Sequence, residues 1–188
     1  MRAMMSKLKL TVNETKTRTC RVGTDTPETF DFLGYTIGRC YSPKTAQAYI
    51  GTRPSKKKVC GLRERISELT ERSRTGLATE DLVAKLNLMM VGWSNYFKLG
   101  QVGTAYAAVD YHCRQRLRRW LRLKHKVPAA SMYTRFPDKY LDQRLGLVRL
   151  SGRIRDLPWA KAKRLVREPD AGKPPVRFDE RGVETGHG

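Results

Sequence analysis

The apolar pattern changes period at Pro54-Ser55, and that change restricts the chain to a strand region followed by a helical one. Upstream, Leu8, Leu10 and Val12 alternate with Lys9 and Thr11, residues 17–22 are rich in β-branched types, and residues 30–37 read FDFLGYTI. Alternation with period two sends successive side chains to opposite faces of a strand. Asn13 and Gly23 break these runs. SPKT at 42–45, with Pro43 at its corner, predicts a hairpin between two short strands.

Downstream, Ser55 is placed to cap a helix, and Val59, Leu62, Ile66 and Leu69 recur three and four apart, the stripe of an amphipathic helix. Gly61 inside that stripe costs roughly 1 kcal/mol relative to Ala. RTG at 74–76 ends the run. Thr79 is expected to cap the next helix, with Glu80 and Asp81 suited to its positive end. Leu82, Leu86, Met89, Trp93 and Phe97 line one face there, until LG at 99–100. A third helix is predicted over 105–126 and stopped by Pro128, with Val109, Cys113, Leu117 and Trp120 on one face and Arg114, Arg118 and Arg122 on another. A shorter element over 140–145 precedes Gly146. Past Arg164, mixed charge with Pro174, Pro175 and several glycines predicts a tail that packs little. The expected fold class is therefore α+β: a strand-rich region, a mainly α-helical bundle, then a flexible tail. Its expected helical core is Leu62, Ile66, Leu69, Leu86, Trp93, Phe97, Leu117 and Trp120.

Charge narrows the partner. The chain has 188 residues, with 38 Lys and Arg against 18 Asp and Glu, a formal net charge of +20. Such a surface repels itself unless a polyanion neutralises it; nucleic acid comes first and an anionic membrane second. No stretch approaches the roughly 18 apolar residues of a span, and no apolar run follows Arg2, Lys7 and Lys9. Neither a membrane span nor a signal peptide is expected, and a cytoplasmic location is. Cys20, Cys40, Cys60 and Cys113 form no C-x-x-C pair, so free, mostly buried thiols are expected rather than a zinc site. His112, His125 and His187 make no metal set, and neither a phosphate-cradling G-x-x-x-x-G-K-[ST] loop nor a G-x-S-x-G elbow occurs.

No acid lies between Asp110 and Asp138, yet that interval holds Arg114, Arg116, Arg118, Arg119, Arg122, Lys124, Lys126 and Arg135. The planar guanidinium fork suits phosphate, and the interval itself contains no carboxylate to neutralise these cations. Arg114, Arg118, Arg119, Arg122 and Lys124 are therefore expected to bind RNA. Arg53, Lys56, Lys57 and Lys58 form a second cluster at a helix start, where cations are disfavoured and an external anion would relieve the conflict. A merely solvated charged face is the plainer alternative for both clusters. Aromatic residues interleave with these charges. Helical spacing assigns Trp93, Phe97 and Trp120 to the core and leaves Tyr111 and Tyr133 exposed, where tyrosines can stack on unpaired bases.

Six motifs occur in one order: LTVNETKT at 10–17, FDFLGY at 30–35, PSKK at 54–57, LNLMMVGWSNYF at 86–97, RLRRWLRLKH at 116–125 and LGLVRL at 145–150. The series resembles the C-terminal half of bacterial group II intron reverse transcriptase/maturases, over nearly the whole chain. The resemblance implies the end of a polymerase palm over 1–52, a helical thumb or maturase (X) domain over 53–155, and a basic tail over 156–188. It implies a proton-donating role near the incoming nucleotide for Lys16, a primer-grip turn at Phe32, Leu33, Gly34 and Tyr35, and group II intron RNA and RNA/DNA template–primer as partners. Two departures stand out. Leu88 and Val91 occupy positions where the family usually has a proline and a basic residue. The Y-x-D-D motif, whose paired aspartates hold two Mg²⁺ ions in the full-length enzyme, is absent, as is any adjacent Asp pair. The chain is therefore expected to be inactive alone and to hold no cofactor itself, with the fingers, most of the palm and the endonuclease module outside it. Its expected role is to assist splicing and grip template–primer, alongside a separate N-terminal polymerase half. The alternatives are an inactive truncated remnant or a general basic nucleic-acid binder.

Overall fold

The computed structural model describes residues 20–42 and 45–157. The strand expected at 8–12, Lys16 and the tail beyond 157 lie outside the described residues. The described residues up to Ile154 form one compact unit, so sheet and bundle share it. Three strands, β1 (Thr29–Phe32), β2 (Tyr35–Tyr41) and β3 (Ala48–Pro54), form an antiparallel sheet in that order. Phe30 pairs with Ile37, Ile37 with Thr52, and Phe32 with Tyr35 across the first turn. The run at 30–37 is thus a tight hairpin rather than one strand. Cys20 to Val22, expected to be extended with 17–19, are not in a strand.

Three long helices follow: α1 (Lys56–Leu69), α2 (Thr79–Tyr96) and α3 (Gly103–Lys124). Ser55 caps α1 as expected, its side chain accepting from Lys58 N–H. The second helix starts one residue earlier than a Thr79 cap would place it. Ala78 holds the cap position without a side-chain bond, and Glu80 and Asp81 sit in the first turn. Beyond α3 come the one-turn α4 (Met132–Arg135), a π-turn over Tyr140–Arg144 and the one-turn α5 (Leu150–Arg153).

Leu62, Ile66, Leu82, Leu86, Met90, Val109, Cys113, Leu117, Trp120 and Leu121 make the interhelical core, closed by Leu141 and Leu150. Leu69 and Trp93, expected in that core, are only half-buried. Trp93 instead joins an aromatic cluster that fastens the sheet to the bundle. Its ring centroid lies 4.7 Å from Phe97, which lies 5.1 Å from Tyr35 of β2. Tyr106 closes the cluster from α3, its hydroxyl donating to Phe97 O (2.8 Å) and Ser94 O (3.0 Å), and burial pushes its pKa up to about 12.

Gly100 makes the second joint. It has φ +72°, and a Cβ there would overlap the Thr52 carbonyl of β3. The next residue, Gln101, donates its N–H to Thr52 O (2.8 Å), and its side-chain amide donates to Tyr41 O (3.0 Å). The link between α2 and α3 thus covers part of the β3 edge. Gly100→Ala combines left-handed backbone strain with this overlap. We expect it to destabilise the fold by about 2 kcal/mol, read as a lowered urea midpoint at unchanged slope.

Candidate nucleic-acid interface

The sharpest local geometry is the β1–β2 turn. Leu33 has φ 49° and Gly34 φ 83°, the left-handed pair of a two-residue hairpin turn. Leucine is uncommon there, and backbone held in that region concentrates at functional sites. Phe32 and Leu33 are 58% and 67% exposed, so core packing is not what holds the tip. Hydrogen bonds from the bundle hold it instead. Tyr96 Oη donates to Leu33 O (2.9 Å), Tyr35 Oη donates back to Tyr96 O (2.7 Å), and Ser55 N–H donates to Gly34 O (2.9 Å). FLGY and the Trp93, Tyr96, Phe97 series, some sixty residues apart in sequence, thereby become one structure.

A groove of about 640 Å³ opens beside this tip, lined by Leu33, Gly34, Lys57, Lys58, Arg65, Trp93, Tyr96 and Phe97 among others. Within it, the buried Nε1 of Trp93 has no acceptor among the described residues. Lys56, Lys57 and Lys58 are exposed in the first turn of α1, which contains no acidic residue. Arg53, at the end of β3, is exposed beside them. No carboxylate among the described residues makes an ion pair with any of these four.

The acid-free interval divides into two groups. Arg114 and Arg118, expected on a free face, are 8% and 5% exposed. Arg114 Nη2 donates to both carboxylate oxygens of Asp142 (2.7 and 2.9 Å); Arg118 donates to Asp138 and to Phe136 O (2.9 Å). Asp138 bounds the acid-free interval and Asp142 lies just past it, and the fold returns both to α3. Arg116 caps the C-terminal end of α1, donating to Ser67 O (2.7 Å), Thr70 Oγ1 (3.0 Å) and Thr70 O (3.3 Å), where a cation complements the helix dipole. Lys124 donates to the carbonyls of Thr75 and Leu77 and lies 5.1 Å from the Trp120 ring centre, so it staples the loop between α1 and α2 to the end of α3. Arg119 is exposed and Arg122 half-buried, neither with an ion pair among the described residues.

A cleft of about 580 Å³ on the other side of α1 has a different character. Glu64, Glu68 and Glu71 alternate there with Arg63, and His112 bonds Ser67 Oγ and Arg63 O at 3.0 Å each. Desolvation, with Arg63 and Arg116 nearby, lowers the pKa of His112 below its ordinary value. This mixed-charge face is poorly suited to a polyanion. Cys40 and Cys113 are buried thiols, but Cys60 is exposed; burial pushes Cys113 up to about 12, which makes it unreactive. No three of His, Cys, Asp and Glu gather to hold a metal ion among the described residues. The donors for a Mg²⁺ pair are not found there, and no step is assigned to that metal. No described helix is long and apolar enough to cross a membrane.

Fold and site together define a small α+β unit with a three-helix core and a cationic, aromatic groove beside a strained hairpin tip. Residues 59–140 match the family described as the group II intron, maturase-specific domain. Over that part the chain is similar to a maturase-specific domain, in line with the two motifs that lie within it, LNLMMVGWSNYF and RLRRWLRLKH. No curated protein matches the chain.

Proposed function

We propose that this chain is the RNA-binding, maturase portion of a group II intron-encoded reverse transcriptase. It assists folding and splicing of the intron RNA and grips the template–primer. The observation that carries this is the tethered Leu33-Gly34 tip flanked by Lys57, Lys58 and Arg65 within the groove. A helix N-terminus bearing three lysines that pair with no carboxylate among the described residues has a demand for anionic charge, which a phosphate backbone supplies. The hairpin tip presents exposed Phe32 and Leu33 beside that backbone, suited to hold the end of a strand in place. Arg53, Arg119 and Arg122 extend the cationic surface. The internally bonded Arg114, Arg118 and Lys124 hold the bundle in shape and are left out of the RNA contacts. With no adjacent aspartate pair in the sequence, the chain's part is binding and positioning, and nucleotidyl transfer belongs to a separate polymerase half.

The test is a titration of the full chain against group II intron RNA and an equally long unrelated RNA at two salt concentrations. Tighter intron binding that persists at the higher salt is expected. Equal binding that collapses together would reduce the chain to a general basic binder.

A further inference from the structure

A second groove, of about 600 Å³, lies away from the hairpin tip. One wall is a stripe of α3 that includes Tyr111, Gln115 and Arg118, and two carboxylates also line it, Asp110 bonded to Leu150 N–H and Ser151, and Asp138 bonded to Arg118. Tyr133 and Pro137 face that stripe, and Arg149 lies at its end. Resting on the function proposed above, we infer that this groove takes an unpaired nucleotide, its base stacked on tyrosine and its phosphate held by Arg149.

Tyr133 carries the inference. Its hydroxyl donates to Gln115 Oε1 (2.8 Å), and the Arg118 guanidinium lies over its ring at 5.0 Å from the centre. Arg118 is itself fixed by Asp138 and Phe136 O. The ring is therefore held at its hydroxyl and on one face, yet Tyr133 remains 54% exposed. A large exposed aromatic fixed in this way is a stacking platform whose ordering cost is already met in the free protein. Tyr111 stands one helical turn before Gln115, is 68% exposed and makes no bond or ring contact among the described residues. Arg149 is exposed and has no ion pair among the described residues. The Gln115 amide N–H groups have no acceptor there either, and they suit the edge of a base. A duplex keeps its base faces stacked and would leave this platform idle; an unpaired nucleotide would use it.

The experiment uses the full chain with two RNAs of equal length, one single-stranded and carrying 2-aminopurine, the other a duplex. Binding is read by anisotropy and stacking by quenching of the 2-aminopurine. Tyr133→Ala and Tyr111→Ala are each expected to weaken single-strand binding about tenfold and to remove the quenching, with duplex binding within twofold of the parent. Tyr133→Trp should restore both signals, which separates stacking from a loss of fold. Arg149→Gln should reduce the salt slope for the single strand by about one. Single-strand affinity and quenching unchanged in both alanine variants would overturn the nucleotide site, even with duplex binding intact. It would leave the groove to a protein partner. A parent chain that binds neither RNA would overturn the proposed function and the groove assignment together.

Discussion

Replacing Lys56, Lys57 and Lys58 together by glutamine is expected to weaken binding to intron RNA by on the order of 100- to 1000-fold near 0.1 M salt, while slightly stabilising the fold. The first effect follows from counterion release. Each neutralised phosphate contributes somewhat under one unit to the slope of log K against log salt, and so somewhat under tenfold in affinity at that salt. Three contacts therefore remove two to three decades, and the slope should fall by two to three. The second effect comes from the helix dipole. All three lysines sit in the first turn of α1, with no acidic residue among them, and removing cations from that end should gain up to about 1 kcal/mol in total. The three side chains are exposed and glutamine keeps their stems, so little packing is lost.

Opposite signs in the two measurements are what make the variant informative. A structural cluster would lose stability and binding together, and a solvated face would leave binding unchanged. The matched control replaces Lys85, Lys139 and Arg144, also exposed, by glutamine. It removes the same net charge away from the hairpin tip and should cost less than tenfold. Equal losses in the two triple variants would mean that the chain attracts RNA by net charge alone and that the α1 cluster has no privileged place.

The larger outlines were legible in the sequence because they are local. The period change at Pro54-Ser55, the Ser55 cap and the 3.6-residue stripes of Leu62, Ile66, Leu117 and Trp120 all appear where expected. The hairpin tip was legible through FLGY, though its fastening by Tyr96 was not, because that bond joins residues 63 positions apart. Arg114 and Arg118 show most clearly what the sequence concealed. An acid-free interval implies unpaired cations only if its partners must be close along the chain. Asp138 and Asp142 come from 20 and 28 positions away, after the chain reverses at Pro128. Arginines sharing one helix face thus became internal ties, while Arg119, only one residue further on, stayed in solvent. Helical spacing could have separated them: Arg114 and Arg118 flank the buried Cys113, Leu117 and Leu121, and a long guanidinium can lie along such a stripe with its head reaching a carboxylate.

Asp110, the other boundary of that interval, supports the second large expectation. It is 6% exposed and gives its whole carboxylate to α5, forty residues away. Oδ1 accepts from Leu150 N–H (2.9 Å), and Oδ2 accepts from Ser151 N–H (2.9 Å) and Ser151 Oγ (2.6 Å). One side chain of α3 thus caps a helix that has no cap of its own, since Arg149 makes no side-chain capping bond. Leu150 is fully buried behind that contact. Asp110→Ala would strand three donors, the Leu150 N–H in a buried site, and hydrogen bonds to charged acceptors are the costly ones to lose. We expect a loss of about 3 kcal/mol, with Asp110→Asn recovering roughly half through its remaining carbonyl oxygen. Global stability is read from urea unfolding, and the local effect from amide exchange at Leu150 and Ser151, which should rise sharply in the alanine variant. Because Arg149 and Ser151 line the second groove, the same variant should lose quenching of single-stranded RNA while binding duplex RNA like the parent. Slow exchange at those two amides in Asp110→Ala would mean that α5 is held by Leu150 packing alone and that the carboxylate is incidental to its docking.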